Sequence, residues 1–555
     1  MEWTTACPDW ADRLKAGQSI IPPPIFREQA DQALDIFKEL KIIDAPGSPT
    51  FGEAAADWVF DLVASIFGAY DPDTGRRLIT EWFVLIPKKN SKSTLAAGIM
   101  MTALILNWRQ SAEFNILAPT VEVANNAFSP ARDMCSERHD EELGALMHVQ
   151  SHVKTITHRE SAATLKVVAA DSNTVGGKKS VGTLIDELWL FGKQHDAENM
   201  LREAVGGLAS RPEGFILYLT TQSDAPPAGV FRQKLQYARQ VRDGLIEDKR
   251  FVPIIYEFPE DILKVDGHLE AQNFPMVNPN IGRSVDEEFL VRELSKAQSS
   301  GEESLRGFLA KHLNVEIGLA LRNDRWPGAD FWEAQADRRV TLDYLLENAE
   351  VVDIGIDGGG LDDLLGLAVI GRMPETHDWV CWTHAWAHPS VLERRKEVAP
   401  AIQDFARDGD LTLAKRIGTD VDDVADICER VYASGLLDKI GVDPVGIGAI
   451  LDALEERGIP NEIITGVSQG WRLGGAIKTA ERRLAEGTFH HGGQPLMAWC
   501  VGNARVEPRA NSILITKQAS GSAKIDPLMG VFNAVTLMSL NPAAASGNIK
   551  MFVLG

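Results

Sequence analysis

The sequence predicts an α/β chain of two domains, an N-terminal doubly wound parallel sheet followed by a domain with a mixed sheet. Three observations carry this. Short apolar runs alternate with helix-length segments in the first half, which is the pattern of buried parallel strands. Three apolar runs joined by short turns open the second half, before helices and strands mix. The chain has 555 residues, 45% apolar and 24% charged, an ordinary globular composition too long for a single core.

In the first half, strands are expected at Trp82–Pro87, Phe114–Ala118, Thr164–Ala169, Gly182–Asp186 and Phe215–Thr220. Ligands of such sheets bind at the carboxyl ends of the strands, so the polar residues after each run are the first candidates for chemistry. Ser93–Trp108 is apolar and uncharged but falls short of the roughly 20 residues a bilayer requires. It reads as a buried helix. From about Ser223 to Glu350 the pattern weakens, with Pro226-Pro227, the turn-like Asn278-Pro279-Asn280 and a charged helical stretch near Asp286–Ser300, and a lid or connector is expected at about 226–340. This gives a first domain of 1–340 with its core at about 50–225, and a second of 341–555. The second shows strands at Val351–Ile356, Leu364–Ile370, Trp379–Trp386 and Lys439–Val442, with helices near Gly448–Arg457, Ala476–Glu486 and Pro527–Leu540.

Composition excludes some functions. With 56 basic and 78 acidic residues the net charge is −22, so a generally cationic coat for nucleic acid is ruled out and any DNA site is a local groove. The five cysteines are odd in number, far apart and without C-x-x-C spacing, and they read as buried thiols in a reducing compartment. Met1–Trp10 already carries Glu2 and Asp9, so neither export nor a membrane is expected.

The first chemical constellation follows Trp82–Pro87: Lys88, Lys89, Asn90, Ser91, Lys92, Ser93 and Thr94, then an apolar helix. A strand, a turn rich in backbone N–H groups and a helix N-terminus together hold phosphate oxygens. Lys92 would reach the β- and γ-phosphates and Ser93 would ligate Mg²⁺. Ile86 and Ser91 stand where the G-x-x-x-x-G-K-[ST] template has glycines, so the alternative is a solvated lysine turn capping a helix. Asp186-Glu187 ends a later strand; the first carboxylate would hold Mg²⁺ and the second orient or deprotonate water, the bland alternative being a helix cap. Thr220-Thr221-Gln222-Ser223 ends another strand and reads either as a phosphate sensor or as turn-forming hydroxyls. Arg132, Arg202 and Arg211 are candidates for a transition-state arginine, none of them assigned.

The second constellation is a set of aspartates at strand ends. Asp357 leads into Gly358-Gly359-Gly360 and then Asp363, Asp443 precedes Pro444, and Asp526 begins the last apolar helix. Clustered carboxylates repel one another and persist by binding divalent cations, which would activate water against a phosphodiester. Individually each aspartate also fits a turn, a strand stop or a helix cap. His490-His491 is left outside the site, since adjacent loop histidines are more often hydrogen-bonded than metal-bound.

Taken in order, these motifs resemble the large terminase subunits of tailed double-stranded-DNA bacteriophages. The resemblance spans nearly the whole chain. It includes Thr5-Ala6-Cys7-Pro8-Asp9-Trp10, Phe67-Gly68, Pro87 to Ser93, Ala118-Pro119-Thr120 and Leu184-Ile185-Asp186-Glu187. It continues through Asn278-Pro279-Asn280, Lys311-His312-Leu313-Asn314, Gly355-Ile356-Asp357, His491-Gly492-Gly493, Gly502-Asn503 and Lys524-Ile525-Asp526. It implies an ASCE-type P-loop ATPase domain with Lys92 and Ser93 in the nucleotide loop, Asp186 on Mg²⁺, Glu187 as catalytic carboxylate and Thr220-Thr221-Gln222 as coupling motif. It also implies an RNase H-like nuclease domain whose metal-binding acids are Asp357, Asp443 and Asp526, with Asp363 auxiliary. ATP and Mg²⁺, or Mn²⁺ at the nuclease site, are the implied cofactors. Double-stranded DNA, a small terminase subunit, the portal protein and further copies in a ring are the implied partners, in the host cytoplasm and transiently on a procapsid. No adenine-reading glutamine is evident before the first strand. A helicase-nuclease or recombinase built on the same folds, and a non-catalytic packaging scaffold, are the competing readings.

Overall fold

The computed structural model describes residues 2–169, 180–194, 197–317, 326–360, 362–396, 398–416, 418–445, 447–509, 512–515 and 524–545. The chain divides into two compact units, Met1–Ile317 and Gly318–Gly555.

The main sheet of the first unit has eight strands: β1 (Glu81–Leu85), β2 (Glu113–Ala118), β3 (Met147–Gln150), β4 (Thr155–His158), β5 (Thr164–Ala169), β6 (Ser180–Asp186), β7 (Phe215–Thr220) and β8 (Phe251–Ile255). Their order is β8-β1-β7-β6-β2-β5-β4-β3. The pairs from β8 to β5 are all parallel, and the β5–β4 and β4–β3 pairs at the far edge are antiparallel, so β4 alone is reversed. Both faces are dry, which explains the continuous apolar strand sequences: Trp82 and Val84 join one buried cluster, Phe83 and Leu85 the other. Helix α1 (Lys92–Ile105) is buried along most of its length, as its uncharged sequence after Lys92 requires.

The expected lid or connector at 226–340 is corrected. Helix α2 (Gly229–Arg242) and β8 belong to the sheet domain, with β8 in register beside β1. The strand FVPII is hard to recognise because Pro253 argues against a central strand; it is accommodated because β8 pairs on one side only. Beyond it lie α3 (Glu287–Ser300), at the charged helical stretch, and α4 (Glu302–Leu313).

The second unit is built on β9 (Val351–Gly358), β10 (Leu364–Arg372), β11 (Trp379–Ala387), β12 (Leu411–Leu413), β13 (Leu437–Val442), β14 (Ile464–Gly466) and β15 (Phe489–His491). The order is β12-β11-β10-β9-β13-β14, and β15 also pairs with β11. β9, β10 and β11 form an antiparallel meander, while β13 and β14 continue the sheet parallel to β9. Helix α5 (Gly474–Glu486) and the buried α6 (Asp526–Met538) cover one face. α6 lies so close to β9 that a Cβ on Gly355 would stand 2.0 Å from the Gly530 carbonyl oxygen, so glycine is required there. This compact unit starts at 318 rather than near 341 because Trp326 and Trp332 are in its core, Trp326 edge-on to Phe532 with centroids 5.2 Å apart.

Asp353, midway along β9, is fully buried. Its Oδ1 accepts from the Lys439 N–H at 3.1 Å, its Oδ2 has no partner among the described residues, and burial pushes its pKa up to about 7. An unfolded aspartate loses its proton near pH ~4. Between the two values the folded state holds the extra proton, so stability falls as pH rises from about 4 to 7. Asp353→Asn is therefore expected to raise the melting temperature more at pH 8.5 than at pH 6. An equal change at both, measured by thermal melting, contradicts this account.

Candidate functional site

The loop after β1 turns twice through left-handed backbone, at Lys89 (φ 73°) and at Ser91 (φ 55°). The second falls where the phosphate-loop template has its second glycine, and a small serine takes it. Lys92 opens α1 and is buried; its Nζ donates to the carbonyls of Ile86 (3.3 Å) and Pro87 (3.2 Å), folding the ammonium back over the loop. Desolvation holds its pKa below the usual lysine value, with Glu187 and Asp186 opposing that shift. Lys88 and Lys89 are exposed, and Ser93 and Thr94 half-buried in the first helical turn.

A clamp holds the loop from behind. Asn90 is fully buried; its Nδ2 donates to Asn278 Oδ1 (2.8 Å) and the Pro87 carbonyl (3.2 Å). In return Asn280 N donates to Asn90 Oδ1 (3.1 Å), and Asn280 Nδ2 to the Asn90 carbonyl (3.2 Å). Sequence reading singled out Asn278-Pro279-Asn280 as a turn and as a motif of the resemblance, without a contact to the loop. The reciprocal bonds show that it fixes the loop's shape where glycine is missing.

Asp186 closes β6 and is buried; its Oδ1 accepts from the Glu187 N–H (3.0 Å) and its Oδ2 has no partner among the described residues. Burial, with the neighbouring Glu187 charge, pushes its pKa up to about 7. An orphaned, desolvated carboxylate oxygen at a strand end suits a divalent cation, which supplies the missing positive charge. Glu187 takes left-handed backbone (φ 52°), and its Oε2 accepts from Trp189 Nε1 at 2.6 Å.

The neighbouring β7 ends in a hydrogen-bonded relay. The Thr220 hydroxyl accepts from the Trp189 N–H (3.0 Å) and donates to the Thr221 carbonyl (2.9 Å). The Gln222 N–H donates to Asn314 Oδ1 (3.1 Å), while Gln222 Nε2 is buried without a partner among the described residues. Lys311, at the end of α4, ties these parts together. Its carbonyl accepts from the Lys88 N–H (2.7 Å), its Nζ donates to the Gln222 carbonyl (2.9 Å), and that ammonium stands 2.9 Å from the Trp189 ring centroid. Desolvation lowers its pKa to about 7. Sequence reading gave Lys311 and Asn314 no role, since nothing local marks a contact across about ninety residues. Buried charge-assisted hydrogen bonds contribute roughly 1.5–3 kcal/mol. Lys311→Met is accordingly expected to slow ATP turnover by about tenfold or more and to lower the melting temperature, and unchanged turnover in the folded variant contradicts the link.

Beside Ser91 and Thr94 lies a cavity of about 390 Å³, lined otherwise mainly by apolar groups including Ile42, Pro46, Phe51 and Leu95. Of the candidate arginines, Arg132 is paired with Asp133 (2.7 Å) and Arg202 with Glu198 (3.1 Å), while Arg211 precedes β7, away from the phosphate-loop edge.

In the second unit, Ile356 and Val442 are partners in the parallel β9–β13 ladder, so Asp357 and Asp443, one residue further on, reach the same sheet edge. Asp526 opens α6 at that edge: a Cβ on Gly358 would stand 3.2 Å from Asp526 Oδ1. Asp357 and Asp526 are buried and Asp443 is half-buried. Asp443 Oδ1 accepts from the Val445 N–H (3.0 Å), and Asp363 Oδ1 accepts from Lys524 Nζ (2.9 Å), which also donates to the Asp362 carbonyl (2.5 Å). Among the described residues no three His, Cys, Asp or Glu side chains stand close enough to hold a metal ion as placed. Hard carboxylate oxygens at one desolvated edge are nonetheless the donor type that Mg²⁺ or Mn²⁺ takes. His491 is a packing residue: it stacks on Trp332 with centroids 3.9 Å apart and bonds the Trp332 carbonyl through Nε2 (2.7 Å).

A phosphate-loop sheet and an aspartate-edged mixed sheet in one chain define a class of nucleotide-driven enzymes that cut nucleic acid. Family models agree: the terminase large subunit ATPase domain matches residues 57–240, and the terminase large subunit endonuclease domain matches 246–541. The chain therefore belongs to the terminase large subunit family, and it carries ATPase and nuclease domains. It is 23% identical over 505 residues to the terminase large subunit of Enterobacteria phage HK97, covering 87% of this chain and 90% of that one. It is 22% identical over 358 residues to the protein YmfN of Escherichia coli (strain K12), covering 62% and 74%. The crystal structure of the HK97 large terminase aligns over 92% of this chain and 99% of that chain at 18% identity, with TM-score 0.46. All five cysteines are free and buried, and no described helix is long and apolar enough to cross a membrane.

Proposed function

We propose that this chain is the motor and cutter of a phage DNA-packaging machine. It hydrolyses ATP to move double-stranded DNA into a procapsid and cleaves concatemeric DNA by a two-metal mechanism. The observation that carries this reading is the joint presence of the buried Lys92, facing Asp186 and Glu187, and the three aspartates reaching one edge of the second sheet.

In the first unit, backbone N–H groups of residues 89–94 cradle the phosphates, Lys92 neutralises the β- and γ-phosphates, and Ser93 and Asp186 hold Mg²⁺. The apolar cavity beside Ser91 accommodates the base, which suits a chain without a glutamine reader upstream. Glu187 orients the attacking water. Trp189, bonded to Glu187, also donates to Thr220, so a shift of the carboxylate on phosphate loss is felt at Thr220-Thr221-Gln222. The unpartnered Gln222 Nε2 is the donor that would report the γ-phosphate.

In the second unit Asp357, Asp443 and Asp526 hold Mg²⁺ or Mn²⁺, and Asp363 assists. Bound cations supply an activated water and stabilise the leaving oxygen. Asp443 contributes by releasing the Val445 N–H, and Lys524 restrains Asp363 until the site fills. The small terminase subunit delivers DNA, and the portal protein of the procapsid receives a ring of these chains in the host cytoplasm. The test is ATP-dependent protection of linear duplex DNA from added nuclease, using purified chain, small subunit and procapsids. Protection that needs ATP is expected; ATP-independent protection, or unwinding instead of packaging, contradicts the reading.

A further inference from the structure

Gly466 ends β14, which runs parallel to β13, so the following residues leave the sheet at the edge where Asp443 leaves it. A Cβ on Gly466 would lie 3.2 Å from the Pro444 ring, which places the two strand ends in contact. The loop then dips into the core through Val467 and Leu473, both buried, and between them presents Trp471 with 63% of its surface exposed. Arg472 is exposed beside it, its guanidinium 5.4 Å from the indole centroid. Gly470 turns the loop through left-handed backbone (φ 73°) to present the pair.

This loop is wired to the aspartate strand. Gln469 Nε2 donates to Asn533 Oδ1 (2.9 Å), and Asn533 Nδ2 donates to the Ile356 carbonyl (2.9 Å), the residue before Asp357. Asn533 is fully buried in α6, the helix that Asp526 begins. A two-bond bridge therefore ties the base of this loop to the strand that carries Asp357. The charge pattern agrees: residues 466–480 contain Arg472 and Lys478 and no acid, in a chain of net charge −22. An exposed indole next to a guanidinium is the pair that takes a base or sugar face together with its phosphate.

We propose that Trp471 and Arg472 grip the DNA strand beside the nuclease aspartates, Trp471 packing on a nucleotide next to the scissile phosphate and Arg472 pairing with a backbone phosphate, while Gln469 and Asn533 set their distance from Asp357. This rests on the nuclease reading of Asp357, Asp443 and Asp526. Trp471 and Arg472 act on substrate binding, and Gln469 is a positioning residue.

The test measures plasmid nicking in Mn²⁺ by the full chain and its variants Trp471→Ala, Trp471→Phe, Arg472→Ala and Asp443→Ala, with ATP turnover and melting temperature as controls. Removing one stacked base contact costs roughly 1–3 kcal/mol. Trp471→Ala is expected to raise KM for DNA by about 5–150-fold with kcat within about threefold, and Trp471→Phe to restore most of it. Arg472→Ala is expected to flatten the dependence of log KM on log salt by about one phosphate contact. An unchanged KM and salt slope in both variants, with Asp443→Ala inactive, overturns the grip and leaves the nuclease assignment standing. Nicking that survives in Asp443→Ala overturns the nuclease assignment itself.

Discussion

Lys92→Ala is expected to lower ATP turnover by at least about a hundredfold, the scale on which a single preorganised charge at a developing anion acts. The ammonium lies folded over its own loop, donating to Ile86 and Pro87 carbonyls, in surroundings that disfavour its charge. Incoming phosphate oxygens offer better acceptors and a compensating charge, so the lysine is poised to swing outward. Its loss removes that attraction while the Asn90–Asn278–Asn280 clamp, which uses none of its atoms, keeps the loop in place. Steady-state phosphate release by the purified chain measures this. Equal turnover in parent and variant places the chemistry elsewhere, and a folded parent with no turnover supports a scaffold.

Asp443→Ala is the second large effect, expected to reduce plasmid cleavage in Mg²⁺ or Mn²⁺ by more than about a hundredfold, since even partners outside the ligand set cost 10–100-fold when removed. ATP hydrolysis is expected to persist. Among the described residues the alanine loses one bond, to the Val445 N–H at a surface turn, so folding is little affected. Asp526 is a poorer first choice for the experiment, because it is fully buried at the start of α6 against Gly358 and its removal disturbs packing as well as chemistry.

Much of the architecture was legible because buried parallel strands announce themselves. The runs at 82–87, 114–118, 164–169, 182–186 and 215–220 all coincide with strands of the first sheet, each covered on both faces. The meander at 351–387 was equally clear. Short or atypical strands escaped: β8 carries a proline, and β12, β14 and β15 have three residues each, too few for a period to register. The edge of the first core was read too early for a related reason, since the weak periodicity after 226 includes the edge strand β8 and irregular segments that contact the phosphate loop. Local motifs pointed to Lys92, Asp186 and the strand-end aspartates. For residues that act across the fold, the sequence did not show which partners they reach, even where, as at Lys311 and Lys524, they sit in a motif of the resemblance. Lys311 reaches Gln222 and Trp189, Lys524 reaches Asp363, and Gln469 reaches the Asp357 strand through Asn533. Each is a polar residue whose meaning comes only from what the topology brings beside it.

The central claim is that one polypeptide holds two separate centres of phosphate chemistry, one in each unit. Anomalous diffraction from crystals of this chain grown with Mn²⁺ and a non-hydrolysable ATP analogue tests it most directly. The account predicts manganese density between Asp357, Asp443 and Asp526, and a second position between Ser93, Asp186 and the nucleotide phosphates. Nucleotide bound away from Lys92, or manganese absent from the three aspartates, would contradict it.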